Sequence, residues 1–463
     1  MSQTTGTRSV DAPAVTLTHR PGRWIDGWNP EDPTFWAGEG KAIARRNLGW
    51  SIFAEFLGFI IWQLWSIVVV LLPAAGFTLS TTESFWLISL PSLVGATLRF
   101  PYTFLVARFG GRNWTMVSAL LLLIPAVLLG IVVQDPETPF GVLLAVAALA
   151  GFGGGNFASS MANITYFFPQ KEKGWALGLN AAGGNLGTSV AQLAVPIVVS
   201  MTAAFTFNLS LAGWMWVPLI LVAVWGAWRH MDNLSSAKAD FAGAAAALRE
   251  PHLWVLSLLY IGTFGSFIGF ASVFPKLIAD TFPEFSTFQI GSASITLAFL
   301  GALVGSLARP YGGKLADRFG GAPMTIAAFS LMIVGALSLL VTLEANSFAL
   351  FLGCFLLLFV AAGVGNGATY RMIPNVFAAR GAATAGDALA VSTQRKGAAA
   401  LGLISAIGAY GGFVIPQVLA AAKSGTGSYA PAFGGFVAGY VALLLITIFV
   451  YLIPRASLAG HRI

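Results

Sequence analysis

Four charged residues stand deep inside long apolar stretches of this sequence: Glu55, Arg99, Arg309 and Arg371. Arginine stays protonated in proteins, so three positive charges against one acid leave a surplus that an anion would offset. A planar guanidinium presents paired N–H donors that match a planar oxyanion. Because ionisable residues inside a membrane segment are costly and mark function, this set predicts an anion pathway.

Arg99 and Arg309 occupy equivalent places in two similar stretches. GATLRFPYTFLVARFGG (95–111) and GSLARPYGGKLADRFGG (305–321) both read G-x3-R-x8-R-F-G-G. We therefore expect the two arginines to meet across a central cavity. Snorkelling of each side chain to a lipid headgroup is the alternative, but both stand about ten residues from the end of their segment, which is too deep for comfortable snorkelling.

Glu55, in FAEFLGF, and Arg371, in ATYRMIP, lie at similar depths in their segments. Burial in a medium of low dielectric disfavours the charged carboxylate, so Glu55 can take up a proton whereas an arginine cannot release one. We expect Arg371 to lie beside Glu55 and to link its protonation to conformation. The alternative is a structural ion pair between the two.

Glycines and asparagines crowd two further apolar stretches, GFGGGNFASSMAN (151–163) and LGLNAAGGNLGTS (177–189). Glycine faces let membrane helices approach closely, and packing alone is the simplest explanation for most of them. Amides need partners in lipid, so the asparagines must face other helices or a wet cavity, where their N–H groups can donate to an anion. They are Asn156, Asn163, Asn180 and Asn185.

Transmembrane helices are required to position these residues. Hydrophobic residues make up 57% of the 463 and charged residues 9%, against about 25% charged in soluble domains. The sole cysteine, Cys354, excludes disulfides and cysteine-based metal sites. Residues 1–45 lack the apolar core of a signal peptide. Runs of about 20 apolar residues predict twelve spans: 48–73, 84–108, 113–133, 140–168, 174–200, 211–229, 253–280, 288–313, 322–343, 347–376, 397–422 and 431–453.

Basic residues divide unevenly between the two sides of these spans. With both termini in the cytoplasm, 20 of the 25 Lys and Arg residues face it, and only Lys276 and Lys423 lie outside. The net charge of +7 is thus explained by the orientation of the protein in the membrane. It is only weak evidence for nucleic-acid binding. The inside set comprises Arg8, Arg20, Arg23, Lys41, Arg45, Arg46, Arg108, Arg112, Lys171, Lys173, Arg229, Lys238, Arg249, Lys314, Arg318, Arg380, Arg395, Lys396, Arg455 and Arg462.

The chain also repeats itself beyond the arginine stretches. Gly151, Gly153, Gly155 and Asn163 align with Gly363, Gly365, Gly367 and Asn375. Two six-helix halves in the same orientation predict a transporter whose substrate site lies between them near the bilayer midplane. The predicted organisation is a cytoplasmic tail (1–47), a first half (48–229), a cytoplasmic linker (230–252), a second half (253–453) and a cytoplasmic tail (454–463).

Several motifs carry a family resemblance. GGGNFASSMANITYFFPQKEKGWALGLNAAGGNLG (153–187) resembles the signature region of the nitrate/nitrite porters of the major facilitator superfamily, as do WNPEDPTFW, ARRNL, LLYIGTFGSFIGF and LGLISAIGAYGGF. The resemblance covers nearly the whole chain. GGKLADRFGG (312–321) also resembles the superfamily's cytoplasmic loop motif, in which Asp317 and Arg318 would latch a conformation. The first-half copy departs from it, with Ala107 in place of the acid.

The resemblance implies roles for particular residues. One arginine from each of the two equivalent helices, here Arg99 and Arg309, would clamp the anion. By motif position its aromatic and amide neighbours would be Phe157, Asn185, Tyr260 and Phe264. Close-packed glycines and polar residues would let the halves rock, and we assign this role to Gly178, Asn180, Gly184, Gly187, Gly408, Gly411 and Gly412.

These observations predict an all-α membrane protein of twelve helices that imports nitrate with protons by alternating access. It would work without a cofactor, as a monomer in the bacterial cytoplasmic membrane, and nitrite would be a further substrate. Nitrate/nitrite exchange on the same scaffold is the first alternative, because some family members have no titratable residue in the pathway. A membrane sensor is disfavoured because no output domain is present, and an enzyme because no catalytic cluster appears.

Overall fold

Twelve long helices account for most of the part of the chain that the structure describes. The computed structural model describes residues 17–201, 207–238, 241–382, 387–453 and 463. Within that part the helices are α1 (Pro33–Ala75), α2 (Thr81–Phe109), α3 (Gly111–Val132), α4 (Phe140–Phe167), α5 (Gln170–Ser200), α6 (Leu211–His230), α7 (Pro251–Thr281), α8 (Phe299–Phe319), α9 (Gly321–Ala345), α10 (Phe348–Ala382), α11 (Asp387–Ala409 and Gly411–Thr426) and α12 (Ala430–Leu452).

Ten of these helices are long and apolar enough to cross a membrane, judged over the described residues. The other two, α2 and α8, are the helices that carry Arg99 and Arg309. Charge is buried while apolar side chains face outward: Glu55 is fully buried, whereas Val341 on α9 and Phe449 on α12 are more than 60% exposed. A surface of this kind suits contact with lipid rather than water.

The repeated R-F-G-G sequence ends two helices in the same way. Gly110 follows α2 with a φ of 89°, and Gly320 follows α8 with a φ of 96°. A positive φ of this kind strains any residue with a Cβ, so the glycine stops each helix and lets the next begin one residue later. At the other end of α2, the Ser80 side chain accepts from the backbone N–H of Glu83, and the Glu83 carboxylate accepts from Ser80 in return.

Equivalent helices pack in equivalent ways. α2 lies along α4 and α8 lies along α10, while the contacts between the first six and last six helices include α2 with α11, α5 with α8 and the end of α1 with α7. A Cβ added to Gly154 would lie 2.7 Å from the Trp62 ring, and one on Gly367 would lie 2.2 Å from the carbonyl oxygen of Arg309. Glycine is therefore needed for both close approaches.

Several helices begin at residues other than those predicted for the spans. The N-terminal 1–47 and the linker 230–252 contain structure: strands β1 (Thr18–Arg20) and β2 (Trp24–Asp26) form a sheet with β3 (Asn233–Leu234), α1 begins at Pro33, and a short helix spans Phe241–Leu248. Segment 288–313 does not begin as a helix, because β4 (Phe288–Ile290) and β5 (Ala293–Ile295) form a hairpin before α8. The described residues of the connection, 377–382 and 387–396, are helical. Among the basic positions, Arg8, Arg455, Arg462 and the side chains of Arg380, Arg395 and Lys396 lie outside the described residues.

Candidate functional site

Arg99 lies fully buried on α2 and is held by the backbones of two other helices. Its Nε donates to the Gly154 carbonyl oxygen on α4, and its Nη1 donates to both the carbonyl oxygen and the hydroxyl oxygen of Ser405 on α11, all at 3.0 Å. Its Nη2 has no hydrogen-bond partner among the described residues. One edge of the guanidinium is thus fixed by the protein, and one nitrogen remains available to a ligand.

Arg309, the equivalent residue on α8, is also buried. Its Nη2 donates to the Tyr260 hydroxyl at 3.3 Å, and its Nη1 has no partner within the described part of the chain. An unpaired N–H group of a buried charged side chain costs more than an exposed one, because water does not replace the missing partner. Each of the two arginines therefore offers one unsatisfied nitrogen.

The two guanidinium groups share the same pair of aromatic rings. The Cζ of Arg99 lies 4.5 Å from the Phe157 ring centroid and 5.1 Å from that of Phe264, and the Cζ of Arg309 lies 5.6 and 5.9 Å from the same two rings. The rings themselves stack at 6.0 Å with an interplanar angle of 26°. The structure thus brings Arg99, Arg309, Phe157 and Phe264 together in one buried cluster. Cation–π attraction partly stabilises the charges there.

Tyr260 completes the second-half side of this cluster. Its ring stacks on Phe264 at 5.2 Å and 15°, and its hydroxyl accepts from Arg309. A π-helical turn over Ile261–Gly265 interrupts α7 directly after Tyr260, and such turns often occur at functional sites. A Cβ on Gly408 of α11 would lie 2.3 Å from the Tyr260 ring, so this glycine leaves room for the ring.

Asn185 is buried on α5, and both atoms of its side-chain amide have no hydrogen-bond partner in the described part of the chain. The same is true of Asn156 on α4 and Asn366 on α10. No described contact joins Asn185 to the arginine pair. Buried amides without protein partners are sites for water or a ligand, because such groups are otherwise costly in an apolar interior.

Glu55 is buried on α1, but its partner is not the predicted one. Its Oε2 accepts from Asn180 Nδ2 at 2.5 Å, and that nitrogen also lies 2.5 Å from the Ser160 hydroxyl. Its Oε1 has no hydrogen-bond partner among the described residues. Glu55 interacts electrostatically with Arg309 and Arg99. It is therefore a buried carboxyl held by an amide, within the field of the arginine pair.

The predicted pairing of Arg371 with Glu55 is wrong. Arg371 lies on α10 with a side chain 44% exposed, and its Nε donates to Asp317 on α8. The contact ties α8 to α10 through the acid of the GGKLADRFGG motif. Arg318, the next residue, lies with its Cζ 5.1 Å from the Phe319 ring. Arg371 and Asp317 offset each other, so the buried surplus comes from Arg99 and Arg309 against Glu55.

The glycines assigned to conformational change fall into two groups. A Cβ would lie 2.4 Å from Glu55 Oε1 at Gly184, 2.3 Å from the Phe56 carbonyl oxygen at Gly187, 2.4 Å from the Gly265 Cα at Gly411 and 2.7 Å from Ile268 at Gly412. These four mark close helix contacts, as Gly408 does. Gly178 differs, because a Cβ there would meet nothing within 4 Å. Packing therefore does not explain the glycine at this position.

Three contributors to the cluster were missed by sequence reasoning. The Tyr370 ring lies 5.6 Å from the Arg309 Cζ and the Trp62 ring 5.1 Å from the Arg99 Cζ, while Ser405 accepts from Arg99. Ser405 lies within LGLISAIGAYGGF and Tyr370 within ATYRMIP, both of which were singled out for other residues. Trp62 carries no signal that separates it from the other apolar residues of α1.

The arrangement can hold a small planar anion. Two buried cations with one unsatisfied nitrogen each, beside flat rings, supply charge and N–H donors. A tetrahedral dianion has no flat face to lie against the rings and would carry more charge than the site offsets.

Comparison with known proteins shows the family of this chain. Residues 53–393 match the model of the Major Facilitator Superfamily. The chain is 44% identical over 452 residues to the nitrate/nitrite transporter NarU of Salmonella typhimurium, covering 92% of this chain and 96% of that protein. It is 42% identical to NarU of Escherichia coli, covering 92% and 95%. It is 37% identical to a probable nitrate/nitrite antiporter, NarK2, of Thermus thermophilus, with the same coverage.

Solved structures support the fold. A bacterial homologue of the lysosomal transporter Spinster aligns over 87% of this chain and 94% of its own, with 18% identity and a TM-score of 0.56. The nucleoside transporter NupG aligns over 87% and 99%, with 12% identity and a TM-score of 0.59. Ten apolar helices together with α2 and α8 thus form the fold of this superfamily of integral membrane transporters.

Proposed function

This chain belongs to the nitrate/nitrite transporter family of the major facilitator superfamily, and from that premise we propose that it imports nitrate through the bacterial cytoplasmic membrane. Nitrite is its second substrate. It works as a monomer with both termini in the cytoplasm, and it couples uptake to protons. It is a transporter and not an enzyme, as its relatives are.

The arginine pair is the observation that carries this proposal. Nη2 of Arg99 and Nη1 of Arg309 lack partners in the described chain, and both guanidinium groups lie within 6 Å of the Phe157 and Phe264 ring centroids. A nitrate ion between them would accept from both free nitrogens, and its flat face would lie against the rings. The anion would then offset the buried charge that the protein leaves uncompensated.

Transport requires the site to open to each side in turn. The arginines come from α2 and α8, and Arg99 is also held by α4 and α11, so the site is shared between the two halves of the chain. Gly411 packs against Gly265 of α7 and Gly187 packs against α1. Such close, smooth contacts let helices slide or bend as the halves rock.

Proton coupling rests on Glu55. Coupling needs a group that changes charge during the cycle, which the arginines do not do. Glu55 is buried and accepts from Asn180, and Arg371 is engaged by Asp317 instead. The charge of Glu55 is therefore not neutralised by Arg371, and Glu55 interacts electrostatically with Arg309 and Arg99 instead. A proton on Glu55 would strengthen the attraction of the site for an anion.

Exchange of nitrate for nitrite is the second candidate. The name of the Thermus thermophilus relative, a probable nitrate/nitrite antiporter, favours it, and that relative is 37% identical to this chain. An exchanger reorients only with an anion bound, so it needs nitrite inside to take up nitrate. A symporter needs no internal anion but responds to a proton gradient.

Nitrate uptake into proteoliposomes tests the two candidates. We expect wild-type uptake without internal nitrite and its acceleration by an inward proton gradient. Glu55→Gln keeps size and hydrogen bonding but fixes the neutral state, so it should lose gradient-driven uptake and retain nitrate/nitrite exchange at equal pH. Arg371→Gln serves as the comparison, because Arg371 pairs with Asp317 and has no described contact with Glu55. Unchanged pH dependence in Glu55→Gln, with wild-type uptake only against internal nitrite, would establish exchange.

A further inference from the structure

A groove of about 490 Å³ opens between α1 and α6, apart from the arginine cluster of the anion site. It is lined by Arg45, Arg46, Gly49, Trp50, Phe53 and Val222. We call it the α1–α6 groove. Its volume lies within the range of about 300–1,000 Å³ that is typical of small-molecule sites. The two arginines stand at one end, and the apolar residues continue along the helices at the other.

The basic end of the groove carries more positive charge than the protein offsets. Asp232, buried at this end, accepts from Arg46 Nη2 and Arg23 Nη2, each at 2.7 Å. One carboxylate is thus shared by two arginines. Arg45 is exposed and forms no hydrogen bond or ion pair with the described residues; it interacts electrostatically with Glu172, but that carboxylate is already paired with Lys41. An anion placed between Arg45 and Arg46 would meet a net positive field.

The apolar end of the groove lies at the surface that faces lipid. Val222 is 45% exposed, and its neighbours Trp225 and Trp228 on α6 are each about half exposed. Exposed tryptophans near the end of a membrane helix mark the level of the lipid headgroups. Basic residues at that level above an apolar surface are the arrangement expected around a phospholipid, with its phosphate on the arginines and its chains below.

Trp50 forms a fixed wall of the groove. Its ring stacks on His230 with a centroid distance of 5.4 Å and parallel planes. A Cβ on Gly226 would lie 1.9 Å from the same ring, so the glycine lets Trp50 seat against α6. The groove therefore exists before any ligand arrives, which lowers the ordering cost of binding.

From these contacts we propose that the α1–α6 groove binds one anionic phospholipid. Its phosphate lies between Arg45 and Arg46, and an acyl chain runs along Phe53 and Val222. Charge complementarity selects the headgroup, and the apolar lining selects a lipid over a soluble anion. Because both arginines project from α1, the helix that carries Glu55, the bound lipid would also brace α1 against α6.

Native mass spectrometry of the full-length protein in a neutral detergent tests this site. The apparent affinity of the first bound lipid is measured for phosphatidylglycerol and for phosphatidylcholine with the same chains, and glycerol 1-phosphate is added as a soluble competitor. We expect phosphatidylglycerol to bind more tightly, and Arg45→Gln to weaken it about fivefold, as the loss of one basic contact to an anionic lipid predicts. Glycerol 1-phosphate should not displace it.

Two further variants make the result specific. Arg108→Gln removes an exposed arginine at the end of α2, outside the groove, and should leave the preference for phosphatidylglycerol intact. Val222→Trp fills the groove without changing its charge and should weaken binding of phosphatidylglycerol even if Arg45→Gln does not fold. Equal binding of the two lipids would overturn the proposal, as would equal effects of Arg45→Gln and Arg108→Gln. Displacement by glycerol 1-phosphate would indicate a site for soluble phosphate esters instead.

Discussion

Replacement of Arg99 by lysine separates the shape of the guanidinium from its charge. Arg99 donates three hydrogen bonds to the protein through Nε and Nη1, and it keeps Nη2 for the anion. A lysine has one nitrogen in place of three. If that nitrogen reaches the anion, the carbonyl oxygens of Gly154 and Ser405 lose their donor; if it stays with them, the anion loses its own.

Either outcome removes at least one hydrogen bond to a charged group, which is worth about 1.5–3 kcal/mol. At about 1.4 kcal/mol per factor of ten, kcat/KM for nitrate uptake should fall about 10- to 150-fold. Ser405→Ala removes the hydroxyl acceptor, but Arg99 Nη1 keeps the carbonyl oxygen that it already shares with that hydroxyl. A loss smaller than that of a whole charged hydrogen bond is therefore expected, about 0.5–1.5 kcal/mol, or about 2- to 12-fold.

The assay is initial nitrate uptake into proteoliposomes at matched protein content. Arg108→Lys on the same helix is the control, because Arg108 is exposed at the end of α2 and lies away from the cluster. Its uptake should match that of the wild type. The clamp reasoning fails if Arg99→Lys transports like Arg108→Lys while both proteins are folded.

Three further outcomes are expected. Nitrite should compete with nitrate for uptake and sulfate should not, since a tetrahedral dianion has no flat face to lie against the rings. Equal competition by sulfate would contradict a planar site. Gly184→Ala would put a Cβ 2.4 Å from Glu55 Oε1 and should abolish proton-driven uptake. Gly178→Ala should be tolerated, because a Cβ there would meet nothing within 4 Å. Similar uptake by the two variants would contradict this prediction. Asp232→Asn should lower stability by about 1.5–3 kcal/mol through its contact with Arg46 and leave transport by folded protein intact; an unchanged melting temperature would refute this.

The sequence predicted those features of the fold that follow from the spacing of residues along the chain. The repeat around Arg99 and Arg309 predicted two equivalent helices whose arginines meet, and the structure places both over the same two rings. The glycines of 151–163 predicted a close helix contact, and Gly154 packs against the Trp62 ring as expected. Such features follow from spacing, because a repeated spacing places equivalent side chains at equivalent positions.

The sequence could not predict the direction in which a side chain points around its helix axis. It also could not predict contacts between residues that are far apart along the chain. Depth along the helix suggested that Arg371 would meet Glu55, but a helix residue can point in any direction around the axis, and Arg371 points to Asp317. The strand Trp24–Asp26 pairs with Asn233–Leu234, about two hundred residues away, and no local pattern marks that pairing. The stretch from Phe288 is apolar enough to continue as helix, yet Gly291 turns it into a hairpin at a φ of 63°.

The net charge of the buried site bears on how transport is coupled to protons. With Arg371 engaged by Asp317, the buried site carries two arginine charges and one carboxylate. The empty site with Glu55 ionised therefore has one net positive charge. Nitrate and a proton together add none, so the loaded symporter has the same net charge as the empty one. Both forms then meet a similar electrostatic barrier as the halves rock.

In a nitrate/nitrite exchanger, the empty site and the loaded site differ in net charge. Nitrate alone makes the site neutral while the empty site stays positive, so only the loaded form avoids moving an uncompensated charge in a medium of low dielectric. Glu55→Gln raises the empty site to two positive charges and the nitrate-loaded site to one. The empty carrier should then return slowly and the loaded carrier should still exchange, which is the behaviour expected if Glu55 is what makes net uptake possible.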